Sequence, residues 1–219
     1  MIEDWSDLMK AIDLVPTEQR MYRGVPNASY ELIPKVGRPR VKPYSIDAEY
    51  TLLTIFMQRA IAYVAQPPRI KLEWLALAQH HGLPTRLLDW SYSPLVAVFF
   101  AVEDDEDASD GAVYACNIPD EKDKFDPFKI DKIRKYYPPH FSPRIPAQRG
   151  LFTVHPRPQE PMSTASYKIE KIGIPGKLKR EFRNKLHVYG FNRESLFPGL
   201  DGCCDHLAWS FRQGIGYWT

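Results

Sequence analysis

The central part of the chain reads Trp74-Leu-Ala-Leu-Ala-Gln-His-His-Gly-Leu-Pro-Thr-Arg-Leu-Leu-Asp-Trp-Ser-Tyr-Ser-Pro-Leu-Val-Ala-Val-Phe-Phe-Ala-Val102. Two apolar patterns with helical spacing flank a segment crowded with polar and ionisable side chains. Burying such groups costs about 1–3 kcal/mol for each one left without a hydrogen-bond partner. A binding or catalytic site is the usual reason for such a cost, so we expect this stretch to form part of one.

Glycine, serine and proline divide this stretch into two helices and a loop. The first helix is predicted over about 72–81 and ends at Gly82, a residue typical of helix C-termini. A loop is predicted over 83–92. Ser93 as N-cap and Pro94 at the first helical position then begin a helix over 95–102. Because that helix is apolar on almost all sides, we expect it to be buried.

The rest of the chain alternates helical and extended patterns. Helices are predicted over 4–14, from the N-cap Ser45 to a point before Pro67, over 177–189 and over 205–213. Extended segments are predicted at 22–24, 112–118, 151–155 and 168–174, and 119–146 and 195–202 are interpreted as irregular. We see no repeat or linker in the sequence. It therefore predicts one α+β domain over 1–219, with a mostly antiparallel sheet, continuous or split, flanked by helices.

Composition restricts the class of protein. Hydrophobic residues make up 44% of the chain and aromatic residues 13%, which excludes general disorder. The 29 Lys and Arg residues nearly balance the 27 Asp and Glu residues, so net charge gives no argument for a dedicated nucleic-acid binder. The three cysteines and an acidic N-terminus without an apolar leader predict a cytoplasmic protein without disulfides. The longest apolar run, 95–102, is too short to span a bilayer.

Four ordered motifs resemble those of the FRG domain family. They are Tyr22-Arg23-Gly24, the segment 79–91 (Gln-His-His-Gly-Leu-Pro-Thr-Arg-Leu-Leu-Asp-Trp-Ser), 148–152 (Gln-Arg-Gly-Leu-Phe) and 195–202 (Ser-Leu-Phe-Pro-Gly-Leu-Asp-Gly). The motifs extend over about residues 20–207, which is most of the chain. The biochemical activity of the family is poorly defined, so the chemistry has to be argued from the residues.

The order of elements is also similar to that of the ADP-ribosyltransferase fold. In the arginine-serine-glutamate branch of that fold, an aromatic-Arg-Gly strand supplies an arginine to the dinucleotide. A Ser-Thr-Ser strand then leads into a helix, and a later strand begins with the catalytic glutamate. Here Tyr22-Arg23-Gly24 matches the first strand, Asp89-Trp90-Ser91 resembles the second, and the third position falls at Gln148, which has no carboxylate. The resemblance implies an NAD substrate, transfer or hydrolysis at the nicotinamide ribose, and a role in toxins or phage defence.

These resemblances select the candidate site residues. The catalytic candidates are Arg23, His81, Ser91 and Gln148, and the candidates for nucleotide contact are Tyr22, Arg23, Gly24, Thr85, Arg86, Asp89 and Trp90. Arg23 would contact phosphate through its planar guanidinium, with Gly24 allowing close backbone approach. Ser91 and Gln148 would contact the ribose, and Tyr22 or Trp90 would stack on a ring. Of the two adjacent histidines, His81 is the better candidate for an acid or base near neutral pH.

Each candidate also has a purely structural interpretation. Arg23 can pair with a buried acid such as Asp89, and Arg86 can form an internal ion pair with Asp89. His80 can cap a helix, and Trp90 can belong to the core. A carboxylate normally stabilises the charge that develops when a glycosidic bond breaks. Asp89, Glu160 or Asp201 could take the place of the absent glutamate. We expect no metal site and no covalently bound cofactor.

Three function classes remain open from the sequence. The first is a nucleotide pocket, with NAD as the substrate. The alternative is a non-enzymatic module that binds nucleic acid or protein through the same pocket and a basic helix containing Lys179 and Arg183. The third is a structural domain whose polar groups satisfy one another. The sequence does not specify the oligomeric state.

Overall fold

The computed structural model describes residues 2–15, 20–38, 43–121 and 123–216. In these ranges the strands are β1 (Met21–Val25), β2 (Leu87–Ser91), β3 (Gly111–Cys116), β4 (Arg134–Tyr136), β5 (Gly150–Val154) and β6 (Glu170–Ile174). They form one open sheet with the order β4-β5-β2-β1-β3-β6, and every neighbouring pair is antiparallel. The predicted antiparallel sheet is therefore confirmed.

Helices flank the sheet, which confirms the α+β class. They are α1 (Trp5–Asp13), α2 (Ile46–Ala60), α3 (Lys71–His80), α4 (Pro94–Val102), α5 (Arg144–Ala147), α6 (Lys179–Val188), α7 (Arg193–Leu196) and α8 (Leu200–Gln213). Ser45 caps α2 as predicted, because its side chain accepts a hydrogen bond from the Ala48 N–H. Within the described ranges, no helix combines the length and the apolar character that a membrane crossing requires.

All three segments predicted to be irregular contain regular structure. The segment 119–146 contains β4 and the first three residues of α5. The predicted loop over 83–92 is wrong in its second half, because residues 87–91 form β2 and pair with β5 from Leu87 opposite Val154 to Ser91 opposite Gly150. The segment 195–202 is also not a loop, since it contains the end of α7 and the first turn of α8. In β2 the strand partner comes from a segment about 60 residues further along the chain, which local sequence patterns do not reveal.

The buried helix α4 packs against β1 and fixes the conformation of that strand. Six of its nine residues are buried, as its apolar sequence predicts. A Cβ atom on Gly24 of β1 would lie 1.8 Å from the carbonyl oxygen of Ala97 in α4. Glycine is therefore required at position 24 by the contact with the helix backbone, which is a different reason from the predicted approach to a ligand.

A fully buried ion pair holds α2 against the start of β2. The guanidinium of Arg86, with no exposed surface, donates to Glu49 Oε2 at 2.7 Å and to the Pro127 carbonyl at 2.8 Å. Its Cζ atom lies 4.2 Å from the centroid of the Phe128 ring. The predicted ion pair between Arg86 and Asp89 is wrong, because Glu49 occupies the guanidinium.

A buried chain of hydrogen bonds connects β2 to β5. Trp90 Nε1 donates to Thr153 Oγ1 at 2.9 Å, and Thr153 Oγ1 lies 2.9 Å from His155 Nε2. A neutral imidazole can accept the Thr153 hydroxyl proton at Nε2. Burial, followed by the charges of Arg23 and Arg86, lowers the pKa of His155 to about 3, so this histidine is neutral at pH 7.

The Arg86–Glu49 pair gives a direct test of the fold. We expect Glu49→Gln to lower the free energy of unfolding by about 3–5 kcal/mol, because it leaves the buried Arg86 charge uncompensated. Urea denaturation at pH 7 measures this change. The control is Asp47→Asn on the exposed side of the same helical turn, for which a loss below about 1 kcal/mol is expected. A similar loss in both variants would contradict the assignment.

The neutral state of His155 predicts a pH dependence of stability. Its pKa is lower in the folded chain than in the unfolded chain, so its contribution is present above about pH 6.5 and is lost as the pH falls. Between pH 7 and pH 5 this group alone removes about 2 kcal/mol. Urea denaturation at both pH values measures the loss of unfolding free energy between pH 7 and pH 5. We expect this loss to be about 2 kcal/mol smaller in His155→Gln than in the native chain. His140→Gln, at an exposed position, should lose as much unfolding free energy between the two pH values as the native chain does. An equally large loss in His155→Gln would refute the prediction.

Candidate functional site

A cleft of about 1030 Å³ opens where β1 and β2 separate. The two strands pair at one register position, Tyr22 opposite Ser91, whereas β1 pairs with β3 at five positions and β2 pairs with β5 at five. Residues of both strands, together with α3, α4, α5 and the segment 138–152, line the cleft. Its volume lies at the upper end of the range usual for small-molecule sites, about 300–1,000 Å³.

Arg23 and Asp89 face each other across this separation. Arg23 Nη1 donates to the Asp89 carbonyl oxygen at 2.7 Å and lies 3.5 Å from Asp89 Oδ2. The side chain of Arg23 is 16% exposed and that of Asp89 is 60% exposed. Burial lowers the pKa of Arg23, and the Asp89 carboxylate opposes that effect. Arg23 does pair with Asp89, but the predicted burial of that acid is wrong, because the Asp89 side chain is exposed to the cleft.

A chain of hydrogen bonds from α3 orients the Asp89 carboxylate. Gln79 Nε2 donates to Asp89 Oδ1 at 2.9 Å, and the Thr85 hydroxyl donates to Gln79 Oε1. Thr85 Oγ1 in turn accepts the Leu87 N–H at 3.2 Å. Thr85 is buried and, like Arg86, is not among the described residues that line the cleft. Thr85 and Arg86 therefore hold residues around the cleft in place and do not themselves line it.

Ser91 and Gln148 come together, as the motifs predict, but they bind each other and the backbone. Ser91 Oγ donates to the Gln148 carbonyl at 2.7 Å and accepts the Ser93 N–H at 2.9 Å. The Gln148 side-chain amide donates to the Leu196 carbonyl at 2.9 Å. Both residues line the cleft. Their contacts fasten the segment before β5 to the start of α4 and to α7.

The two aromatic candidates are buried. Tyr22 is 5% exposed and Trp90 is 3% exposed, and the Trp90 indole belongs to the hydrogen-bonded chain with Thr153. Trp90 is therefore a core residue, which is its structural interpretation. The more open aromatic residue along the cleft is Phe141, which is 39% exposed and which sequence reasoning did not select.

The adjacent histidines lie in different environments. His80 is partly buried and lines the cleft, with its ring centroid 5.9 Å from that of Phe141. Burial, then the charge of Arg144, then His81 lower the pKa of His80. His81 is exposed and is not among the described residues that line the cleft. The structure thus places His80 at the cleft, whereas the sequence analysis selected His81.

Ion pairs between the acidic segment 103–110 and the helices α6 and α7 form another part of the cleft wall. Arg183 Nη1 lies 2.6 Å from Asp105 Oδ1, and Arg193 pairs with Glu103. Lys179 is buried, and its Nζ donates to the Asp107 carbonyl at 3.2 Å. Lys179 and Arg183, on which a nucleic-acid interface would depend, are therefore engaged within the chain. The acidic segment 103–110 and the basic helix α6 have opposite charges, and this is the feature of the sequence from which their contact could have been predicted.

The three candidate substitutes for the absent glutamate occupy different places. Asp89 lines the cleft beside Arg23. Glu160 is exposed and pairs with Arg157 at 2.8 Å, and Asp201 is exposed in the first turn of α8. Neither is among the described residues of the cleft wall. In the described part of the chain, His, Cys, Asp and Glu side chains do not form a group of three that could hold a metal ion.

Comparisons with known proteins agree with the motif analysis in one respect. The family model described as FRG domain matches residues 18–110, a range that includes the first two of the four motifs. Searches of curated proteins and of solved structures gave no significant match. Residues 18–110 contain β1, β2 and the helix α4 between which the cleft opens. The resemblance to the FRG family is therefore supported over residues 18–110.

Proposed function

We propose that this chain binds NAD in the cleft between β1 and β2 and cleaves the bond between nicotinamide and ribose. The observation that carries the proposal is the pairing of a largely buried arginine, Arg23, with an exposed carboxylate, Asp89, where the two strands separate. A fixed cation and a fixed carboxylate in one cleft match the two charged parts of this substrate, the anionic diphosphate and the cationic pyridinium ring of nicotinamide.

Arg23 is the proposed phosphate ligand. Its described contacts with Asp89 use Nη1, so Nε and Nη2 remain for two oxygens of a phosphate. A guanidinium binds phosphate through parallel N–H···O bonds and keeps its charge when buried. The contact with the Asp89 carbonyl holds the side chain in the cleft before a ligand arrives, which reduces the entropy lost on binding.

Asp89 is the proposed catalytic carboxylate. Gln148, at the position of the expected glutamate, has a neutral side chain that is occupied by the Leu196 carbonyl. Asp89 instead presents a carboxylate that Gln79 and Arg23 hold from two sides. A carboxylate beside the ribose stabilises the oxocarbenium character that develops at the anomeric carbon. Ser91 and Gln148 act as positioning residues that keep the cleft walls together.

The proposed reaction is a displacement at the anomeric carbon of the nicotinamide ribose. The bond between that carbon and the pyridinium nitrogen breaks, and its electron pair leaves with nicotinamide, which becomes neutral. The oxygen of water forms the new bond, and the proton it releases passes to Asp89 and then to solvent. The products are ADP-ribose, nicotinamide and one proton. A hydroxyl or amine of a nucleic acid or protein acceptor can replace water in the same step.

Release of nicotinamide from NAD tests this proposal. We expect Asp89→Asn to lower kcat at least about 100-fold, the size typical for loss of a charge-stabilising group. Arg23→Lys should raise KM about tenfold, because lysine cannot make the bidentate contact. Chromatography of the reaction at pH 7.5 measures both, with circular dichroism as the check that each variant folds.

Matched controls use the two carboxylates outside the cleft. Glu160→Gln and Asp201→Asn should release nicotinamide at the native rate. The proposal fails if the native chain neither releases nicotinamide nor binds NAD by calorimetry. It also fails if folded Asp89→Asn retains the native kcat.

A further inference from the structure

Arg144 differs from the other arginines whose ion pairs have been described. Arg23, Arg183 and Arg193 each pair with a carboxylate, whereas Arg144, which also lines the cleft, forms no ion pair with a described residue. Its guanidinium carbon lies 5.1 Å from the centroid of the Phe197 ring. A cation held over an aromatic face keeps its N–H donors available at its edge.

His80 and Arg144 both belong to the cleft wall, and the His80 ring centroid lies 5.9 Å from that of Phe141, which precedes Arg144 by three residues. Both side chains are partly buried and line the cleft, and the charge of Arg144 contributes to the lowered pKa of His80. The causes of that shift are burial and two neighbouring basic groups, Arg144 and His81, with no carboxylate among them. The Arg144 guanidinium and the imidazole N–H of His80 are two hydrogen-bond donors on one cleft wall, and the guanidinium charge favours an anion there.

The same wall is joined to the Arg23 site by short links. Gln79, which precedes His80 in α3, binds Asp89 at 2.9 Å. The α5 helix that begins with Arg144 is followed by Gln148, whose carbonyl accepts from Ser91 at 2.7 Å. One ligand extended along the cleft can therefore reach both arginines.

We propose that Arg144 and His80 form a second anion subsite that binds a phosphate group other than the one at Arg23. The identification of the ligand as a nucleotide rests on the proposed function, whereas the subsite itself does not depend on any cleavage activity. The ligand class is a nucleotide with two phosphate groups. The second group is either the other phosphate of a diphosphate or a phosphate monoester on the adenosine ribose.

Binding measurements on the native chain and two variants test the subsite. The probes are inorganic pyrophosphate, NAD and NADP, titrated by calorimetry at pH 7 and fixed salt. We expect Arg144→Gln to weaken binding of at least one probe about 10- to 100-fold, the effect of losing a charged hydrogen bond, and His80→Gln to weaken the same probe. Arg157→Gln, at an exposed arginine paired with Glu160, is the matched control and should bind as the native chain does.

The outcomes separate the two sources of phosphate. Equal weakening for NAD and NADP assigns the subsite to the diphosphate, and weakening for NADP alone assigns it to the ribose monoester. The proposal is overturned if folded Arg144→Gln binds all three probes with native affinity, or if the native chain binds none of them. Absence of nicotinamide release from a chain that still binds these probes would refute the chemistry proposed at Asp89 while leaving the subsite supported.

Discussion

The separation of β1 from β2 after a single paired position is the constraint on which the site depends. Two strands that paired along their whole length would leave no cleft between them. Here Tyr22 pairs with Ser91, and the guanidinium of Arg23 takes the Asp89 carbonyl that has no backbone partner in β1. A side chain thus replaces part of a sheet ladder, and a ligand can compete for that side chain without unfolding the sheet.

Packing on both sides of the separation keeps the strands in place. On the β1 side, contact of Gly24 with the α4 backbone leaves no room for a side chain. On the β2 side, the buried Arg86–Glu49 pair fixes the residue that precedes the strand. Since a half-broken buried pair is strongly destabilising, this anchor also makes the position of Asp89 reproducible. The cleft is therefore formed before any ligand binds, and its charges are fixed in direction.

The sequence motifs contain residues that meet at one cleft, but sequence reasoning gave Arg86 the wrong partner and chose the histidine that lies outside the cleft. Tyr22-Arg23-Gly24, Asp89-Trp90-Ser91 and Gln148 do meet at one cleft. The partner of Arg86 was missed, because Glu49 lies 37 residues earlier and nearness in sequence favoured Asp89. The choice between His80 and His81 depends on about 100° of helical rotation at the last turn of α3, which no motif encodes. Such errors arise where tertiary contacts decide orientation.

A crystal structure with ADP-ribose at saturating concentration tests the proposed nucleotide site between β1 and β2 most directly. We expect phosphate oxygens at about 3 Å from the Arg23 guanidinium, with the free ribose next to the Asp89 carboxylate. Density for ADP-ribose on another face of the molecule, or an empty cleft at saturation, would contradict the account.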